Sequence, residues 1–280
     1  MGSKFPRTTV GGVSMPRLIV GTNWFRGFSH TSAAKDNWIK QYQTRKRVAE
    51  VLTVFLEAGV DAYMASPTPA FELAVKDAEQ RSGRGMIRIL TPSFNVLPGG
   101  PAESEPQRMF DFCVENNATF CLPHQGVTDR LVDRLTGEVR DWERYAPMIR
   151  ERGMIPGFST HMPDTIPIAD KTGADVETYI QIYNSAGFLM QVEADWVMRI
   201  INRARKPVMC IKPLAAGRVL PPVGLAFVWN TIRDCDMVVC GTTTADEARE
   251  VIDLSLTYLE RRLPTNVLQR TRSKQGLETP

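Results

Sequence analysis

The chain holds three histidines, His30, His124 and His161, and each stands just past a short apolar run of β character. A lone loop histidine is commonly a hydrogen-bonding surface group. Three converging on one rim would instead supply acid–base capacity near neutral pH, and nitrogen ligands for a divalent metal, with His124 and His161 the pair expected to hold it. Lys212 ends another apolar run, Val208–Ile211, and is followed by Pro213. It reads either as a rim lysine paired with a carboxylate or as a group whose pKa is lowered by burial and neighbouring histidines, acting as a base or forming an imine. Asp61, at the start of the run Ala62–Ala65, is the carboxylate expected to meet it across a closed mouth. The expected catalytic set is therefore Asp61, His124, His161 and Lys212.

A second group of residues suits substrate binding. The stretch after Leu18–Gly21 carries Asn23, Trp24, Phe25, Arg26, His30, Asp36, Asn37 and Trp38. Indole faces beside amides and carboxylates suit a polyol or sugar, and the same aromatics would also pack a lid. Arg218, just past Gly217, offers a planar fork for an anionic group. The turn Gly241-Thr242-Thr243 opens a helix and presents backbone N–H groups to an anion, although Thr244 also reads as a plain N-cap. Asn23, Trp24, Arg26, His30 and Arg218 are thus expected on the substrate, and Gly241, Thr242 and Thr243 on a cofactor.

Short apolar runs that alternate with helical patterns must position these groups. The runs are 18–21, 62–65, 86–90, 119–122, 155–159, 179–183, 208–211 and 237–240. Buried on both faces, such runs read as parallel strands. Helices are expected between them, at 44–58, 71–81, 105–116, 140–152, 162–171 and 193–204; in the first, Val48, Val51, Leu52 and Phe55 recur at i, i+3, i+4. Eight units predict an α/β fold, a single (β/α)8 TIM barrel over residues 17–256, with its site at the carboxyl ends of the strands. Val10-Gly11-Gly12-Val13 predicts an N-terminal β-hairpin plugging the bottom of the barrel. Residues 260–280 read as a polar tail, and the whole of 1–280 as one domain.

PLAAGRV after the seventh run, and VVCGTTTADEAREVID through the eighth, resemble the closing units of the aldo/keto reductases. The resemblance implies the same (β/α)8 barrel. It also implies a tetrad in which Asp61 would be the aspartate, in AGVDAYMAS, and His124 the histidine ending strand four. Gln181 matches a cofactor-binding glutamine on strand six. The tetrad tyrosine and lysine have no counterpart: Ser66-Pro67 and Leu90-Thr91 stand in their places. Ile211 or Cys210 replaces the aromatic that stacks on a nicotinamide, and Glu247 and Val251 replace the nucleotide-reading amides. Tight NADP(H) binding is therefore not expected. The expected function is an enzyme working by His/Asp/Lys acid–base chemistry on a small hydroxylated, sugar-like substrate, as isomerase, epimerase, lyase or hydrolase. A divergent NAD(P)-dependent carbonyl reductase and a non-catalytic binding barrel are its rivals.

Composition narrows the classes further. A net charge of +3 over 280 residues carries no signature of nucleic-acid binding. Five cysteines without CxxC spacing point to a reducing compartment, and no apolar run is long enough to span a membrane, so a cytoplasmic protein is expected. The oligomeric state is left open.

Overall fold

The computed structural model describes residues 5–96 and 104–265. Strands β1 (Arg7–Val10) and β2 (Val13–Pro16) form an antiparallel hairpin whose turn places Gly11 and Gly12 at φ +54° and +83°. Two successive positive φ values need glycine, which is why this pair sits there. Val10 and Met15 of the hairpin pack into one apolar cluster with Ile19, Phe120 and Met209 from inside the barrel. The hairpin therefore plugs the amino-terminal end.

Strand β3 (Leu18–Gly21) follows, then helices α1 (Asn23–Arg26), α2 (Ala33–Tyr42) and α3 (Arg45–Glu57). The sequence predicts a bare loop where α1 and α2 lie. Ser32 caps α2 by accepting from Lys35 N, but only Ile39 of that helix is buried, so it leaves no apolar stripe to read. Strand β4 (Ala62–Ala65) and helix α4 (Pro69–Ser82) form the second unit, and β5 (Ile87–Leu90) and α5 (Pro106–Glu115) the third. Strand β6 (Phe120–Cys121) is followed by the short helix α6 (Gln125–Leu131), a small hairpin of β7 (Val132–Asp133) and β8 (Glu138–Val139), and α7 (Trp142–Arg150). The fifth barrel strand is split into β9 (Ile155–Pro156) and β10 (Phe158–Ser159) around Gly157, and α8 (Thr165–Thr172) follows. A Cβ at Gly157 would come within 2.7 Å of the Thr178 carbonyl oxygen and 2.9 Å of Leu122, so only glycine fits this close approach. Then come β11 (Tyr179–Ile182) with α9 (Ala194–Arg203), β12 (Val208–Ile211) with α10 (Pro221–Thr231), and β13 (Met237–Gly241) with α11 (Ala245–Glu260).

The strands pair in parallel in the order β10-β11-β12-β13-β3-β4-β5-β6-β9. Because β9 and β10 are two halves of one strand, the ring has eight members and is the expected (β/α)8 barrel. Side chains alternate along each strand. Ile19, Ile89, Met209 and Val239 fill the interior, while Val20, Tyr63 and Cys210 face the helices. Behind β4 and β5, Arg88 pairs with Glu72 at 3.1 Å and with Glu79 at 3.0 Å, and the Tyr63 hydroxyl donates to Glu72. Much of the Pro92–Pro101 loop and of the polar tail read from the sequence lies outside the described residues. No described helix is long and apolar enough to cross a membrane, and all five cysteines are unpaired.

Candidate active site

The carboxyl ends of the strands open onto a cavity of about 790 Å³, a size suited to a small organic ligand. His30, His124, His161 and Lys212 all line it. Each reaches the mouth through a particular piece of backbone. Lys212 ends β12 in the left-handed conformation, φ +59°, and Ala215 N–H donates to its carbonyl at 2.9 Å. His30, between α1 and α2, is also left-handed at φ +56°. Such a conformation costs a non-glycine residue about 1 kcal/mol or more, and here it turns two long side chains toward each other. Lys212 Nζ stands 3.0 Å from His30 Nε2, and Asn23 Nδ2 stands 3.2 Å from the same nitrogen.

His124 caps α6, its Nδ1 accepting from Gly126 N–H at 3.2 Å, so the neutral ring carries its proton on Nε2. His161 follows β10. Its backbone N–H donates to Asp129 at 3.3 Å, and that carboxylate also accepts from the Thr160 hydroxyl at 2.5 Å.

Electrostatics follow from burial. Desolvation lowers the Lys212 ammonium to about 8. All three imidazoles are lowered, first by burial and next by Lys212, with His161 pushed down to about 3 by the added presence of His124 and His30. At neutral pH the inner mouth therefore holds neutral imidazoles beside a Lys212 that is in part the free amine. Toward the rim, Trp38 stacks on Tyr42 with centroids 5.0 Å apart, and Lys35 Nζ lies 4.0 Å from the Trp38 ring centroid. These aromatics and Trp24 give the cavity flat apolar walls, while Thr91, Ser159 and Thr242 supply hydroxyls. The Thr242 hydroxyl is buried without a partner. Lys35 and Tyr42 had no signal in the sequence, because the helix that presents them had none.

Several expected site residues lie elsewhere. Asp61 is at the amino-terminal end of β4, where its carboxylate takes the Arg7 guanidinium of the plug hairpin at 2.8 Å. It cannot meet Lys212; Met64, farther along the same strand, and Ser66, just past its end, stand at the mouth instead. Gln181 pairs in register with the outward-facing Cys210, so its amide points into the helix layer and not at a ligand. Among the described residues the amide makes one hydrogen bond, from Nε2 to the Ile182 carbonyl at 3.3 Å. Arg26 lies over the Phe28 ring, 5.5 Å from its centroid, and outside the cavity. Arg218 holds the His30 carbonyl at 3.2 Å and stacks over Phe188 at 4.1 Å, so it fastens the lysine–histidine contact from behind. Asn23 and Trp24 do line the mouth.

The turn Gly241–Thr243 also lines the cavity, but its anion site is already filled. Thr243 N–H donates to the Glu247 carboxylate at 2.5 Å, and Thr244 caps α11. An acidic group there repels a phosphate. With Gln181 turned away, Ile211 in place of a stacking ring and Tyr63 facing Glu72 behind the barrel, the residues present do not fit a nicotinamide dinucleotide. Among the described residues no group of three or more His, Cys, Asp or Glu side chains could hold a metal ion, so no third such ligand joins the expected His124–His161 pair. One nitrogen of His124 is already bound to the backbone, and no carboxylate joins the two rings.

No family model and no curated protein matches the chain. Solved structures do. A Pseudomonas aeruginosa protein assigned to the aldo-keto reductases superposes with a TM-score of 0.63 at 12% identity, over 90% of this chain and 96% of the other. An aldo/keto reductase from Brucella melitensis gives 0.58 at 14% identity, over 91% and 93%. A holo aldo-keto reductase from Bacillus halodurans gives 0.56 at 13% identity, over 95% and 99%. At such identities the likeness fixes the fold and no activity: the chain is an α/β protein with the (β/α)8 barrel of the aldo-keto reductases.

Proposed function

We propose that the protein is an enzyme that moves a proton on a small hydroxylated, sugar-like compound bound in the mouth of the barrel. One observation carries this: Lys212 and His30 in direct contact at a cavity that two half-buried histidines share. Near neutral pH a lysine lowered to about 8 beside neutral imidazoles can take a proton from carbon or oxygen and return it. The His124 Nε2–H can donate a hydrogen bond to an oxygen that gains charge. Trp24, Trp38 and Tyr42 offer faces for the apolar side of a sugar. Proton abstraction next to a carbonyl, as in isomerisation, epimerisation or β-elimination, is the chemistry best supplied by such bases. The unpaired thiols fit a reducing cytoplasm. The test is a thermal-shift screen of aldoses, ketoses and sugar acids, followed by NMR in D2O. Exchange of the hydrogen beside the carbonyl supports the proposal; the absence of any binder in those classes refutes it.

The structural neighbours favour a second reading, an NAD(P)-dependent carbonyl reductase. Against it stand the outward Gln181 and the Glu247 carboxylate at the last turn. Titration with NADPH separates the two.

A further inference from the structure

We propose that Lys212 Nζ is a nucleophile that condenses with a carbonyl of the substrate to form an imine. This rests on the site named above but assigns the lysine a covalent role beyond proton transfer.

Four features converge on it. Lys212 lines the cavity, and its single hydrogen-bond partner is His30 Nε2 at 3.0 Å; among the described residues no carboxylate pairs with it. A half-buried ammonium without a counter-charge is destabilised, so the environment raises the share of free amine. The direction of the His30 contact is fixed by Asn23. Its Nδ2 can only donate, and it stands 3.2 Å from the same Nε2, so that nitrogen is an acceptor and Lys212 must donate to it. An amine that donates one N–H to His30 keeps its lone pair for an electrophile. Finally, both residues sit in left-handed backbone, and Arg218 ties the His30 carbonyl from the far side. The chain holds this contact against its conformational preference, as it does where a reactive group must be aimed.

The step is balanced within the site. Nζ attacks the carbonyl carbon, the C=O π bond breaks, and the His124 Nε2–H hydrogen-bonds the oxygen as it gains charge. The nitrogen releases a proton to His30, and the imidazolium so formed gives it to the oxygen, leaving a neutral carbinolamine. The second N–H proton follows the same route to the hydroxyl, which leaves as water as C=N forms. One amine and one carbonyl give one imine and one water, and nothing is oxidised or reduced. The imine then acidifies the adjacent C–H or weakens an adjacent C–C bond. The substrate class is accordingly a hydroxylated aldehyde, ketone or keto acid.

The test traps the intermediate. Wild-type protein is incubated with glycolaldehyde, or separately with pyruvate, reduced with sodium borohydride and digested, and the peptides are mapped by mass. The exposed Lys40, Lys46 and Lys76 of the same molecule are the internal reference. Lys212 should acquire the reduced adduct at least about tenfold faster than these, because a larger share of it is free amine at neutral pH. His30→Gln should slow that labelling several-fold while the reference lysines are unchanged. Labelling of Lys212 no faster than the reference with both probes overturns the inference. The two proposals fail separately. Deuterium exchange that needs Lys212, with no adduct, removes the imine and leaves the acid–base site. A selective adduct in a protein that binds no hydroxylated compound removes the substrate assignment and leaves the nucleophile.

Discussion

Lys212 and His30 are 182 residues apart in the chain, yet Nζ of one lies 3.0 Å from Nε2 of the other, and both backbones are left-handed. A lysine so placed acts on a ligand at a cost to the fold. Lys212→Met keeps the apolar stem and removes the amine, so turnover should fall by about 10²-fold or more while circular dichroism stays native. The stability effect has a defined sign. The folded pKa, about 8, lies below the ordinary lysine value of 10.5, so between these the unfolded chain holds a proton that the folded one has released. Wild-type stability therefore gains up to about 1.4 kcal/mol per pH unit across that window and nothing below it. Melting curves of wild type and variant at pH 7 and pH 10 should draw apart in the wild type's favour.

His161 sets the acid limb. Burial, and after it Lys212, His124 and His30, lower its imidazole from 6.5 to about 3. Between these values the unfolded chain is protonated at this position and the folded chain is not, so stability is lost as pH falls below 6.5. His161→Asn should flatten urea-melting midpoints between pH 6.5 and pH 4. An equally steep loss in the variant would show that other groups drive acid unfolding.

What the sequence made legible was set by locality. Runs such as Leu18–Gly21 and Val208–Ile211 announce buried parallel strands because every residue is apolar and the next breaks the pattern. The position of each histidine past a strand end follows from the same signal. Helix α2 was hidden because it buries one side chain, Ile39. Gln181 was misread because strand parity is settled by register: one step along β11 turns a residue from mouth to helix layer. Asp61 was misread because the two ends of a four-residue strand look alike until the plug hairpin supplies Arg7. The contact of Lys212 with His30 has no local trace at all; it exists only once β12 and the first loop close over one cavity.

The buried ion cluster behind β4 and β5 should matter to stability and not to chemistry. Burial pulls the Arg88 guanidinium down, and Glu79 and Glu72 more than offset it. Glu72→Ala would leave Arg88 paired with Glu79 alone and the Tyr63 hydroxyl without its acceptor, in a site where the Arg88 and Glu72 side chains are about one-tenth exposed. A loss of about 1 to 3 kcal/mol is expected in chemical denaturation, with any ligand affinity of the folded fraction retained.

Asp61→Asn tests the corrected placement. The Arg7–Asp61 pair is partly exposed, with 29% and 20% of the side chains accessible, and Arg7 keeps its bonds to Ser14 and the Gly59 carbonyl. The variant should lose about 1 kcal/mol of stability and keep full turnover. A large loss of turnover at unchanged stability would return the residue to the chemistry.

The absence of a dinucleotide site is the most decisive expectation. A nicotinamide needs an amide aimed into the mouth, and Gln181 is buried with its amide in the helix layer. A phosphate needs the free N–H groups at the start of α11, and Glu247 already accepts from Thr243 N–H while adding a negative charge. NADPH fluorescence should therefore be unchanged by protein at micromolar concentrations. Glu247→Gln removes the charge but keeps an acceptor at the same N–H, so affinity should stay weak. Glu247→Ala frees the N–H, and any gain should appear there alone. Micromolar binding by the wild type would move the site toward carbonyl reduction, since Glu247 would then have to swing away and expose the turn to the nucleotide.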